Sequence, residues 1–161
     1  MVGFRNEGAY NYFIPTNPTS LAAMASVPTQ FTRTLLGEKF LIHDSRDAED
    51  ESVDSEPEVG IDEDEEPARV LVYSTARNIE LLCRSPTWFV DGTFKTSPSI
   101  FTQIFAIMGL RMRQTPTETE GVALPMVYAF LSHKTEAQYT QVMEAVRAAV
   151  TEFNVPGECV P

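Results

Sequence analysis

Residues 44–66 carry 13 acidic side chains and one base, Arg46, and this run limits the fold more than any other feature of the chain. Its net charge is −12, which leaves +1 for the remainder, so the −11 of the whole chain belongs to one segment. Ordering such a stretch costs on the order of 23–46 kcal/mol in backbone entropy. Val53, Val59 and Ile61 are its only large apolar residues, and their full burial returns about 9 kcal/mol at most. Entropy and self-repulsion win, which predicts a disordered acidic loop over 44–66, reaching toward residue 68.

The 161 residues suit one domain of ordinary size, with enough apolar content for a core. No run of 18 or more apolar residues exists, so no membrane span is expected. The opening "MVGFRNEGAY" lacks a basic region followed by an apolar one, so it does not read as a secretory signal. Asn17-Pro18-Thr19 is spoiled as a glycosylation acceptor by its proline. Cys83 and Cys159 form no C-x-x-C pair, and His43 and His133 stand at no metal-ligand spacing. We expect neither a zinc finger nor a disulfide framework, and an intracellular, reducing setting is the simplest reading. The near-neutral remainder neither excludes nucleic acid nor supplies a strong basic patch for it.

Residues 1–18 read as an irregular lead-in, with no period and two prolines in "NYFIPTNPTS". Thr19 or Ser20 caps a predicted short helix through "LAAMASV", which Pro28 ends. In "FTRTLLGEKFLIH", 31–35 and 39–43 flank Leu36-Gly37 and predict a hairpin. "RVLVY", 69–73, reads as a strand. "STARNIELLCRSP" reads as a helix capped by Thr75, with Ile79, Leu82 and Cys83 on one face and Pro86 at its exit. Three strand candidates follow at 87–94, 101–110 and 122–131. The links "KTSPSI" and "RMRQTPTETEG" are short, which favours an antiparallel meander. Pro125 cannot donate to a ladder, so the third strand is expected at an edge or bulged there. Thr135 and Gln138 make a capping box for a last helix. Its apolar stripe is Tyr139, Val142, Met143, Val146, Val150 and Phe153, and Asn154, Pro156 and Gly157 stop it.

One carboxylate interrupts the first of the three strands. In "TWFVDGTFKT", Asp91 follows Phe89 and Val90 and precedes Gly92, Thr93 and Phe94. Burying an unpaired carboxylate is strongly unfavourable. Asp91 is therefore either a strand acid at a sheet edge, solvated or bonded to a backbone N–H, or a group with a dedicated partner such as a metal ion.

Three antiparallel strands, a helix, and an acid midway along the first strand form the opening half of a ribonuclease H-like fold. "WFVDGTFKTSPSIFTQIFAIMG" followed by "LPMVYAFLSHKTEAQYTQVMEAV" resembles the transposase domain of Mutator-like elements, the MULE type, over about residues 69–153. "FTRTLLGEKFLIHDS" resembles what precedes that domain in eukaryotic members. The resemblance implies a DDE-type triad of carboxylates that holds two divalent metals, Mg²⁺ or Mn²⁺, and cuts and joins DNA. Asp91 in "DGTFK" matches the first acid, catalytic and metal-ligating. The second acid belongs on a fourth strand shortly after the helix and the third lies further on, both beyond Pro161. A nuclear setting follows from the same resemblance, and the zinc-binding DNA-recognition module that members often carry is not seen in this sequence.

The expected architecture is mixed α and β. Residues 1–84 form a flank of short strands and helices with the acidic loop. Residues 85–161 form a truncated ribonuclease H-like half-domain, a three-stranded meander plus one helix. A site reduced to one acid is expected to bind metal weakly and to be inactive alone, because two cations need several carboxylates.

Lys95 either meets a DNA phosphate near the site or is an ordinary exposed lysine after a strand. Lys134, Arg111 and Arg113 either line a nucleic-acid face or are scattered surface charge, the reading that Glu118 and Glu120 in the same loop favour. His133 reads as a loop residue before a helix cap. Trp88 and the Tyr139 stripe read as core. Ser55, flanked by acids, is a phosphorylation pattern common by chance. A second function class is a non-catalytic interaction module, whose partner is another copy of the chain or a full-length transposase, with the acidic loop adding contacts. The unpartnered strand around Asp91 is expected to favour self-association.

Overall fold

The computed structural model describes residues 18–24, 26–46, 68–156 and 159. The irregular lead-in (1–17), Ser55 and the acidic residues 47–66 lie outside the described residues. Five strands form one antiparallel sheet in the order β1-β2-β5-β4-β3: β1 (Leu41–Asp44), β2 (Val70–Tyr73), β3 (Trp88–Thr93), β4 (Gln103–Gln114) and β5 (Thr119–Leu131). The helices are α1 (Ala76–Cys83) and α2 (Glu136–Glu152). The meander β3-β4-β5 followed by α2 is the arrangement that the short links predicted. The flank strands join the same sheet, because β2 pairs with β5 through Val70↔Leu131 to Tyr73↔Tyr128.

Alternation decides which side chains meet the helices. Val70 and Val72 of β2, Ile107 of β4, and Val127, Ala129 and Leu131 of β5 are fully buried against Ile79 and Leu82 of α1 and Val142, Val146 and Ala149 of α2. The opposite face carries a second cluster of Leu71, Tyr73 and Phe101 under Leu21, with Phe40 and Phe130 packed on it. Gly109 lets α1 approach β4, since a Cβ there would run into Ser85.

Both main helices form where local chemistry predicts. Thr75 Oγ1 accepts from Asn78 N at the start of α1, and Thr135 Oγ1 accepts from Gln138 N at the start of α2. Gln138 does not close the box onto Thr135. Its Oε1 accepts from His133 N, and its Nε2 donates to Ser132 Oγ. Asn154 ends α2 with φ 50°, a left-handed turn that asparagine tolerates.

Four expectations need correction. The helix through "LAAMASV" is a single turn, with Ser20 Oγ accepting from Ala23 N and Leu21 O from Met24 N. Arg46 donates to the carbonyls of Leu21 and Met24, and Arg69 to that of Met24, so these oxygens are taken by side chains where a helix would need them. The predicted hairpin is a tight turn with one bridge, Arg33↔Lys39, and Gly37 at φ 81°. Of its first arm, 31–35, only Arg33 pairs, and the 3₁₀ turn Thr29–Phe31 runs into the start of that arm.

The acidic loop was expected to begin at residue 44. Asp44 instead ends β1, buried, where both its oxygens accept from Arg69 at 3.1 and 2.6 Å. Ser45 bonds Val70 through both backbone and hydroxyl. The last correction concerns sulfur: Cys83 and Cys159 form a disulfide across 76 residues. Distance along the chain misled, because the turn at Asn154 sends the chain back from the end of α2 toward the end of α1. The reading of an intracellular setting loses the support it drew from unpaired cysteines.

The strands β4 and β5 also run beyond their expected ends. Arg111↔Val122, Met112↔Gly121, Arg113↔Glu120 and Gln114↔Thr119 extend the hairpin past β2 and β3 into the polar link. Thr115 closes the tip, its N donating to Glu118 O at 2.8 Å. This ladder forms although its residues are exposed, Met112 and Val122 included, because backbone pairing needs no core. The register shifts between Ile107 and Met108, opposite Pro125, which is the bulge that the proline demands. β5 itself is interior, between β2 and β4.

Candidate functional site

Asp91 stands midway along β3, the last strand of the sheet, opposite Ala106. Trp88 packs on the helix-side core, so alternation turns Val90 and Gly92 with it and sets Phe89, Asp91 and Thr93 on the helix-free face. Asp91 is exposed, and among the described residues its side chain makes no hydrogen bond or ion pair. The outer edge of β3 has no strand beside it among the described residues. An acid at such an edge keeps its water, which removes the cost that an apolar strand interior would impose.

The two lysines singled out from the sequence lie at the same end of β3. Lys134 Nζ lies 3.9 Å from the centre of the Phe94 ring, a cation–π contact. Lys95 is the next residue after Phe94 and is exposed. Beneath them Gln103 Nε2 donates to Tyr139 Oη at 2.7 Å, and a Cβ on Gly92 would crowd the Gln103 side chain. Arg111 and Arg113 are not part of this group. They belong to the hairpin beyond the Trp88↔Gly109 pair, at the other end of the sheet. Glu120 sits there too, about 24 Å along the strands from the Asp91 row. His133 precedes the α2 cap, its Nδ1 2.9 Å from Ser132 Oγ. That hydroxyl accepts from Arg69 N and Gln138 Nε2, so buried Ser132 and half-buried His133 belong to a structural network.

Sequence reasoning missed a trough of about 530 Å³ on the helix-free face, lined by Phe31, Phe40, Tyr73, Ile104, Tyr128 and Phe130, with Gln30 and Arg33 beside them. Tyr128 pairs with Ala106, which pairs with Asp91, so the trough and Asp91 share one row of the sheet, about 10 Å apart. Only the alternation of β5 hinted at it, because its two walls lie about a hundred residues apart in sequence. Burial pushes the Tyr73 hydroxyl up to about 12, helped by the Asp44 carboxylate and opposed by Arg69. That hydroxyl stays protonated at neutral pH.

Among the described residues no three His, Cys, Asp or Glu side chains come close enough to share a metal ion. Asp91 alone offers one carboxylate, whereas a pair of divalent cations about 4 Å apart needs several anionic oxygens. The described donor set does not fit a two-metal centre. No family profile, curated protein or solved structure matches this chain.

Proposed function

We propose that this chain is the opening part of a Mutator-like DDE transposase domain, with Asp91 as the first of its acids. The observation that carries this reading is the position of Asp91, exposed midway along the strand that opens the β3-β4-β5 meander, with α2 behind it. A ribonuclease H-like sheet keeps that first acid beside a further strand bearing the second acid, and among the described residues no strand occupies the outer edge of β3. Lys134, over the Phe94 ring, and Lys95, the next residue after Phe94, are the groups in this reading that would meet a DNA phosphate. The complete domain would hold Mg²⁺ or Mn²⁺ between its carboxylates, and these would polarise the phosphodiester for in-line attack by water or a 3′ hydroxyl.

The second reading, a non-catalytic interaction module, is favoured by the same free edge, where Phe89 and Val90 are 43 % and 59 % exposed. Two tests separate them. The coding or genomic sequence after Pro161 should encode a strand-like apolar stretch with an acid; a stop followed by nothing of that kind favours the interaction module. The purified chain with Mn²⁺ and supercoiled plasmid, beside Asp91→Asn, should show no nicking that the substitution removes. Nicking that vanishes in Asp91→Asn would overturn the view that the described residues hold an incomplete site.

A further inference from the structure

We propose that the aromatic trough on the helix-free face binds a flat aromatic carboxylate, with the ligand's ring on Tyr128 and Phe130 and its carboxylate on Arg33 and the Tyr73 hydroxyl. The volume of about 530 Å³ falls in the range of small-molecule sites. Tyr73, Tyr128, Ile104 and Phe130 line it from two adjacent rows of the sheet, and Phe31 and Phe40 stand beside them. The rings brace one another. Phe40 lies 5.2 Å from Tyr73, and Tyr73 meets Phe130 edge-on at 5.7 Å. A surface held in place this way loses little freedom when a further ring settles on it. Phe31 and Tyr128 are 49 % and 39 % exposed, so aromatic area is open to cover.

Two polar groups select the charge of the ligand. The first is Arg33, the one charged residue among the described lining. Its Nη1 donates to Gly37 O at 2.9 Å, which fixes the guanidinium at the turn, and among the described residues it makes no ion pair. The second is Tyr73. Its side chain is nine-tenths buried, yet among the described residues its hydroxyl has no hydrogen-bond partner. A buried hydroxyl in that state is costly, and a ligand oxygen would relieve it. Burial keeps this phenol protonated far above neutral pH, so it donates to an anion and does not repel it. Asp44, the acid whose field Tyr73 feels, is neutralised by Arg69 at 2.6 Å. Asp91 lies past Ala106 in the Tyr128 row and is not part of the lining. Its charge turns an anionic head toward Arg33, and the site stands whatever the chemistry of Asp91.

The test uses one ring system with three charges: naphthoate, the neutral naphthamide and the cationic naphthylmethylammonium. Each is titrated into the isotope-labelled full chain at neutral pH, and the amide chemical shifts are followed. Naphthoate should bind at least about tenfold more tightly than naphthamide, and the cation should bind least. Shifts should centre on Phe31, Tyr73, Tyr128 and Phe130 and spare Trp88, which packs on the helix side. Arg33→Gln should lower naphthoate to the affinity of naphthamide, and Arg33→Lys should keep part of the difference. Tyr73→Phe should weaken both alike, since each offers a carbonyl oxygen. Far-UV circular dichroism confirms that the variants fold, and the ranking of the three compounds on the parent chain needs no variant. Equal affinity for all three, tighter binding of the cation, shifts centred elsewhere or no saturable binding would each overturn the proposal. So would a preference for naphthoate that survives Arg33→Gln.

Discussion

Removing the carboxylate of Asp44 should cost more stability than any surface change, and Arg69 is the reason. Its side chain has no exposed area and that of Asp44 has 4 %. The guanidinium donates to both Asp44 oxygens and to Met24 O, and the only other group on the carboxylate among the described residues is Arg46 N, at 3.3 Å from Oδ1. Asp44→Ala leaves a positive charge buried with one carbonyl for company, a loss of about 3–5 kcal/mol. At about 2–4 °C per kcal/mol for a chain of this size, the melting midpoint should fall by about 10 °C. Arg69→Met alone strands the carboxylate and should cost a similar amount. The double variant Asp44→Leu/Arg69→Met removes both charges and refills the space with apolar atoms, so it should recover most of the loss. Urea denaturation followed by far-UV circular dichroism gives the four free energies of the cycle. Single costs below about 1 kcal/mol, or singles that simply add in the double variant, would refute the argument that the charges are buried and mutually dependent.

The same ion pair clamps the two ends of the acidic segment, so replacing residues 47–66 with a short Gly/Ser linker should leave the melting midpoint unchanged or raise it; a large fall would mean that the segment packs on the fold. Tyr73 sets an alkaline limit: its hydroxyl titrates at its ordinary 10.0 in the unfolded chain but at about 12 in the folded one, so the folded state holds the proton longer. Its contribution is constant below pH 10 and is lost as pH climbs toward 12, about 3 kcal/mol in all. Urea midpoints at pH 9 and pH 11.5 should show Tyr73→Phe losing less stability over that interval than the parent chain, and equal losses would sink the assignment.

What was legible in the sequence was local. Thr75 and Thr135 announce their helices because a cap is made within three residues, and the stripe from Tyr139 to Phe153 needs only the helical repeat. The meander was legible because "KTSPSI" is too short for a crossover. The failures share one cause, a partner distant in sequence. "LAAMASV" has the propensity for a helix, yet Arg46 and Arg69 claim its carbonyls from across the fold. Asp44 looked like the first acid of a solvated run because nothing nearby marks Arg69 as its counter-charge. Cys83 and Cys159 looked separate for the same reason. In the candidate site, Asp91 stood out as the single charge in its strand. The Phe94–Lys134 contact and the trough around Tyr128 depend on register, which pattern alone does not fix.

The edge position of β3 makes the two readings of Asp91 converge on one physical situation. A carboxylate is tolerable at mid-strand only while water reaches it, and water reaches Asp91 from the helix-free face of the sheet. Two β3 strands related by a two-fold axis normal to the sheet must pair residues of equal parity, so that both helix layers stay on one side. Centring the pair on Val90 sets Asp91 against Phe89 of the second copy, an apolar neighbour for a charge. Centring it on Asp91 sets two carboxylates face to face, which is destabilising. Neither of these registers suits the acid, whereas centring the pair on Gly92 sets Asp91 against Thr93, so Asp91 restricts the self-pairing that the exposed Phe89 and Val90 invite. A strand that brings a cation, or an acid sharing a cation, meets no such penalty. The residue that first reads as a flaw in an apolar strand thus narrows the registers open to a second copy, and a pairing that buries Asp91 against Phe89 is the one it penalises most.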